Sequence, residues 1–112
     1  MIRQLLSAGR VRTSTIDLLA RQVAEASVEA VCRAVAHHVI GMGPCEARGY
    51  IRGRAGREIR RQTRWAVSRH IGVDAEASAA IVARAADRAP ALVLRRLASA
   101  YQRISAPQRQ AA

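Results

Sequence analysis

The sequence predicts an all-α protein, a small bundle of about four helices with an alanine-rich core. Alanine, leucine and arginine are strong helix formers, and alanine and arginine recur throughout, whereas the β-branched residues are scattered and the aromatic residues, which also favour strands, are limited to one Trp and two Tyr. Apolar side chains recur at steps of three and four, which is the spacing of a buried helical stripe. The 112 residues suffice for a single domain, 1–112, with one modest core.

The first long helix is predicted from Ser14 to about Ile40, ended by Gly41. Ser14 and Asp17 have the spacing of a capping box, an arrangement that satisfies the first backbone N–H groups of a helix. Its apolar stripe comprises Ala20, Ala24, Val28, Val31, Val35 and Val39. A second face carries charges of both signs on Asp17, Arg21, Glu25, Glu29, Arg33 and His37. Before it, residues 1–12 are expected to be flexible or to form a short capping helix.

A second helix is predicted to begin between Glu46 and Gly56 and to reach about Ile71. Its start is uncertain because three glycines, each costing about 1 kcal/mol of helix propensity, occupy this stretch: Gly49, Gly53 and Gly56. In the alternative, residues 41–56 are an irregular basic loop that leads into a helix at Arg57, where the helix N-terminus would favour phosphate.

Two further helices and a tail complete the predicted bundle. Asp74 is expected to cap a third helix that reaches about Arg88, and Pro90 to occupy the first turn of a fourth. The fourth helix has an apolar stripe formed by Leu94, Leu97, Tyr101 and Ile104. From Ser105 onward the chain is polar, and residues 105–112 are expected to be a disordered tail.

Charge is the most unusual property of the sequence. All nineteen basic residues are arginine, and against eight acids they give a net charge of +11. Residues 48–69 contain eight of these arginines and a single acid, Glu58. On an ideal helix, Arg54, Arg57, Arg60, Arg61 and Arg64 fall within an arc of about 120°. Ile51, Ala55, Ile59 and Ala66 fall within about 80° on the opposite side. The apolar side of this helix is therefore predicted to pack against the core, and the opposite side to carry positive charge.

This pattern favours a polyanion as the partner, and nucleic acid in particular. Guanidinium groups suit phosphates because their planar fork donates two parallel hydrogen bonds, and an aromatic neighbour is able to stack on a base. We therefore predict a small basic nucleic-acid-binding accessory or regulatory protein. Its predicted binding residues are Arg48, Arg52, Arg54, Arg57, Arg60, Arg61 and Arg64, together with Tyr50 and Trp65. On an ideal helix Gly49, Gly53 and Gly56 lie along one edge beside these arginines, where the missing side chains would allow either a ligand or another helix to come close.

A second hypothesis is a helical protein-interaction module, an adaptor, inhibitor or assembly subunit whose basic face binds an acidic protein. A short chain with a thin core gains burial by oligomerising, so a homodimer is compatible with both hypotheses. DNA and RNA remain equal alternatives at this stage.

Residues 64–74 resemble the first helix and turn of a helix-turn-helix, with Ile71 at the corner and Val73 and Asp74 in the turn. The following stretch, residues 75–80, contains four alanines with Glu76 and Ser78, and it offers little that would reach base edges. A simple helical corner is the alternative, and the arginine-bearing helix is the better candidate for nucleic-acid contact.

Other kinds of site find little support. Cys32, Cys45, His37 and His38 match no standard zinc spacing, so neither a metal nor a cofactor is expected. No motif places a nucleophile or a carboxylate beside a histidine, so the protein is not expected to be an enzyme. No apolar run has the length of a membrane span and the start lacks a secretory h-region, which favours a cytoplasmic protein without membrane contact.

Overall fold

Three helices form the described part of the chain, in the order α1 (Thr13–Val35), α2 (Pro44–Val67) and α3 (Ala75–Ala111). The computed structural model describes the backbone of residues 12–111 and the side chains of residues 12–102, so the predicted capping segment lies outside it except for Arg12. Each helix packs against the other two. The all-α prediction is thus confirmed, with three helices instead of about four. None of the described helices carries an apolar stretch long enough to cross a membrane.

Every fourth residue of each helix is buried, and these positions form the core. They are Leu19, Val23, Ser27, Val31 and Val35 in α1, Ala47, Ile51, Ala55, Ile59 and Thr63 in α2, and Ala77, Ile81, Ala85, Ala89 and Val93 in α3. Ala20 and Ala24 widen the buried side of α1. Alanine is the commonest of the buried residues, as predicted. The two buried hydroxyls are satisfied within their own helices, since Ser27 donates to the Val23 carbonyl and Thr63 to the Ile59 carbonyl.

The ends of α1 differ from the prediction. Arg12 occupies the N-cap position without a side-chain hydrogen bond, and Ser14 lies inside the helix, so the expected capping box does not form. The helix ends at Val35, five residues before Ile40, because the chain then turns through short-range hydrogen bonds such as the one from the His38 N–H to the Val35 carbonyl. Gly41 completes this turn with φ +87°, a conformation that side chains disfavour.

Helix α2 starts earlier than the sequence suggested. Gly43 is its N-cap and Pro44 occupies its first turn, where the missing N–H of proline costs nothing. The helix then continues through all three glycines, so the alternative of an irregular loop over residues 41–56 is wrong. Full burial of Ile51 and Ile59 explains the outcome, since each buried side chain of this size contributes about 1.5–3 kcal/mol and outweighs the weak propensity of glycine.

Helix α3 joins the predicted third and fourth helices into one. It begins as expected after Asp74, whose Oδ1 accepts a hydrogen bond of 2.8 Å from the Ala77 N–H. The predicted break before Pro90 is absent, although an interior proline removes one backbone hydrogen bond and costs about 3 kcal/mol. Ala89, Pro90 and Val93 are all buried, so packing against the other two helices holds the chain helical across this position.

The last part of α3 also departs from the predicted stripe. Val93 is the buried residue here, while Leu94 and Leu97 are half-buried against the core and Tyr101 is mostly exposed. The side chain of Ile104 lies outside the described residues. The backbone is helical as far as Ala111, through the segment from Ser105 onward for which the sequence led us to expect a disordered tail.

The corner between α2 and α3 is not built like a helix-turn-helix. Helix α2 ends at Val67, and residues 68–74 form the connection, in which Gly72 adopts φ +91°. Ile71 is fully exposed, so the expectation that it packs at the corner is wrong. Val73 instead lies half-buried against the core. The connection is therefore a simple helical corner, and the arginines of α2 are the feature that remains to be explained.

Candidate nucleic-acid interface

The arginines of α2 lie on the side of the helix that faces away from the core. Because every fourth residue of α2 is buried, the three intervening positions project outward or toward the flanks. Five exposed arginines occupy them, and we call these residues the arginine surface: Arg54, Arg57, Arg60, Arg61 and Arg64. On the opposite side Ile51, Ala55 and Ile59 are completely buried and Ala66 is half-buried. The helix thus has one docked side and one charged side.

Most of the arginine surface lacks a neutralising carboxylate. Arg61 donates to Oε1 of Glu58 over 3.0 Å, and the same oxygen accepts a hydrogen bond of 3.0 Å from Gln62 Nε2. The hydrogen bond from Gln62 is the main cause that lowers the pKa of Glu58 below its usual value. Partial burial opposes this shift, and Arg61 adds to it. Among the described residues, no carboxylate forms an ion pair with the other members, Arg54, Arg57, Arg60 and Arg64.

Crowding of like charges has an energetic cost. Arg57, Arg60 and Arg64 follow one another at steps of three and four, and Arg61 is a neighbour of both Arg57 and Arg64. Such like-charge pairs each destabilise a helix by about 0.2–0.5 kcal/mol. The folded protein therefore holds this surface at a cost that a bound polyanion would relieve.

Two of the predicted binding arginines lie at the edge of the surface. Arg52 forms an ion pair of 2.6 Å with Asp87 of α3, with both side chains largely exposed. Arg48, one turn earlier, is exposed and has no ion-pair partner among the described carboxylates. An exposed pair of this kind contributes only about 0.2–1 kcal/mol, so Arg52 is held toward α3 without being locked there.

The glycines of α2 are not explained by packing within the described chain. A methyl group added at Gly49 or Gly53 would meet no atom within 4 Å, so no helix approaches closely there. At Gly56 the added carbon would lie 3.2 Å from Nη1 of Arg60, whose side chain folds back across this position. Positions 49 and 53 therefore leave the backbone of α2 uncovered beside Arg48 and Arg52, just before the arginine surface.

The two aromatic residues predicted to stack on bases have different surroundings. Trp65 is 59% exposed, and the guanidinium carbon of Arg69 lies 3.9 Å from the centre of its ring. Arg61, Gln62 and Arg64 line an open cleft beside it. Tyr50 is half-buried, and its ring centre lies 5.5 Å from that of His38. Tyr50 thus braces the turn after α1, whereas Trp65 borders the arginine surface.

Arg69 and Gln62 were not among the predicted binding residues. Arg69 follows Trp65 by four residues, and Gln62 follows Glu58 by the same interval, the spacing at which helical side chains meet. This four-residue spacing in the sequence could have predicted both the Trp65–Arg69 and the Glu58–Gln62 contacts.

The cysteines and histidines are dispersed. The Cys32 thiol lies 3.8 Å from the Val93 carbonyl, and burial raises the pKa of this thiol while Arg96 opposes the shift. Cys45 is exposed in the first turn of α2, and His38 contacts Tyr50. Within the part of the chain that the structure describes, no three side chains of the metal-binding types lie together.

Comparison with known proteins adds no relative: the chain matches no family model, and neither its sequence nor its structure has a significant match among curated proteins or solved structures.

Proposed function

We propose that this protein binds nucleic acid through the arginine surface of α2, as an accessory protein that holds its ligand without reacting with it. The observation that carries the proposal is the group of four exposed guanidiniums on one side of a docked helix with no ion-pair partner among the described carboxylates. Solvated helix faces normally mix charges of both signs, so a surface of one sign needs a partner of the other.

Phosphate is the anion that this surface fits best. Each guanidinium presents a planar fork that matches two phosphate oxygens, and the chain uses arginine without any lysine. From Arg54 to Arg64 the helix rises about 15 Å, which equals four to five nucleotide steps along a duplex. Consecutive phosphates of one strand could therefore be contacted together.

The contacts are proposed to be made chiefly with the backbone of the nucleic acid. Gln62 is the only amide side chain between Arg48 and Arg69, and it is already bonded to Glu58. Reading of base edges in a groove commonly uses asparagine or glutamine besides arginine, whereas phosphate contacts position a protein without selecting sequence. We therefore expect the affinity to depend steeply on salt concentration and only weakly on nucleotide sequence.

Fluorescence anisotropy with labelled duplex DNA, single-stranded DNA and a structured RNA tests the proposal. We expect the affinity for at least one of them to fall steeply between about 50 and 200 mM salt, because each phosphate contact releases a bound counterion. An affinity that does not change over this range would contradict the proposal.

The same surface suits an acidic protein, the second function predicted from the sequence. Affinity capture from a lysate treated with both DNase and RNase separates the two. Retention of an acidic protein after this treatment, with no oligonucleotide binding by the purified chain, would replace nucleic acid by protein as the partner. Cytoplasmic location and self-association stay predictions.

A further inference from the structure

The cleft beside Trp65 combines the groups that hold an unpaired base. Among the residues that the structure describes, its lining includes the indole of Trp65, the guanidiniums of Arg61 and Arg64, and the amide of Gln62. Glu58 fixes Gln62 and Arg61 through hydrogen bonds of 3.0 Å, so one side of the cleft is held in place. The cleft lies at the C-terminal end of the arginine surface and shares Arg61 and Arg64 with it.

Trp65 is positioned as a stacking platform. It is the single tryptophan of the chain, and with Arg69 over its ring at 3.9 Å it remains 59% exposed. The cation over the ring favours one orientation of the indole, and more than half of the residue stays exposed to solvent. An indole of this size left in water forgoes a large burial energy, which a planar aromatic ligand would recover.

An unpaired base is the ligand that suits such a platform beside arginines. In a duplex each base is stacked between its neighbours, so its ring face is covered, whereas a single strand can turn a base onto an aromatic side chain. The phosphates on either side of that base would then lie within reach of Arg61 and Arg64.

Given the proposed nucleic-acid function, on which this step rests, we infer that the Trp65 cleft stacks an unpaired base and that the protein prefers single-stranded nucleic acid to duplex. Arg61 and Arg64 hold the flanking phosphates, and the remaining members of the arginine surface extend the contact along the strand.

The intrinsic fluorescence of Trp65 gives a direct test, since no second tryptophan contributes. The full-length protein is titrated with an oligothymidylate of about twelve nucleotides and, separately, with a duplex of the same length. We expect stacking to quench Trp65 on the single strand and to leave its emission nearly unchanged on the duplex. Trp65→Ala should weaken binding to the single strand by roughly five- to a hundredfold, the effect of one stacked base, and binding to the duplex hardly at all.

Two controls make the outcomes distinct. Trp65→Phe keeps an aromatic ring and should recover most of the affinity, whereas Arg57→Gln lies outside the cleft and should weaken both ligands equally. Because Trp65 is largely exposed, its variants should unfold at nearly the wild-type urea concentration. Equal affinity for both ligands with no quenching would overturn the inference and leave the proposed function standing. Absence of binding to either ligand would overturn the proposed function itself.

Discussion

Helices α1 and α2 have the same spacing of buried residues, but the outer face of α1 carries charges of both signs and the outer face of α2 carries mainly positive charge. In both helices every fourth residue is buried. The outward positions of α1 carry charges of both signs, among them Asp17, which pairs with Arg84, Arg21 and Glu25. From Arg54 to Arg64, the exposed charged residues of α2 are all arginines. Since α1 shows that this fold needs no single-sign face, the contrast supports the proposal that the arginine surface of α2 binds a polyanion.

The comparison requires that the buried side of α2 packs in the core and contributes to stability, as the buried side of α1 does. Ile59 is completely buried, and Ile59→Ala should lower the free energy of unfolding by about 2–5 kcal/mol, as in other large-to-small core changes. Urea unfolding followed by circular dichroism measures this effect. A decrease below about 0.5 kcal/mol would mean that α2 is not anchored through this side.

Position 53 of α2, where an added methyl group would contact no described atom, should accept a side chain without loss of stability. Gly53→Ala should raise the free energy of unfolding by about 0.5–1 kcal/mol, because alanine is the better helix former and its methyl group would meet nothing. Gly41→Ala is the matched control, and it should destabilise the protein since Gly41 has φ +87°. A destabilising Gly53→Ala would show that another surface covers this position in solution.

Removing one arginine from each face should have opposite effects on stability. At low salt, Arg60→Gln relieves like-charge repulsion and should stabilise the protein by a few tenths of a kcal/mol, whereas Arg21→Gln removes favourable neighbours and should destabilise it by a similar amount. In about 1 M salt both differences should vanish, because charges are then screened over about 3 Å. Differences of the same sign for both variants would contradict the contrast between the two faces.

The sequence was sufficient for prediction where one physical signal dominated. The two sides of α2 followed from the isoleucines at 51 and 59 and from the excess of arginine, and Asp74 was recognised as a cap. Prediction failed where local propensity and tertiary packing disagreed. Pro90 and the glycines of α2 would end or weaken an isolated helix, but burial of their neighbours outweighs that cost.

Side-chain pairing was the other feature that prediction did not capture. The ion pair of Arg52 with Asp87 joins two helices and could not be placed before their packing was known. The interaction of Trp65 with Arg69 is local, and its four-residue spacing was visible in the sequence. Ile71 was expected to pack at the corner because residues 64–74 resemble a helix-turn-helix, but an apolar side chain in a connection need not be buried, and Ile71 is fully exposed.

The most direct test compares the salt dependence of nucleic-acid binding for two charge-matched variants. One replaces Arg57, Arg60, Arg61 and Arg64 by Gln, and the other replaces Arg21, Arg33, Arg88 and Arg95, which are also exposed and form no ion pair with a described carboxylate. For single-stranded DNA the first variant should flatten the slope of log K against log salt by about three, at roughly 0.7 for each phosphate that is no longer bound, and the second should leave it nearly unchanged. Equal flattening in both variants would show that net charge, and not the arginine surface, drives binding.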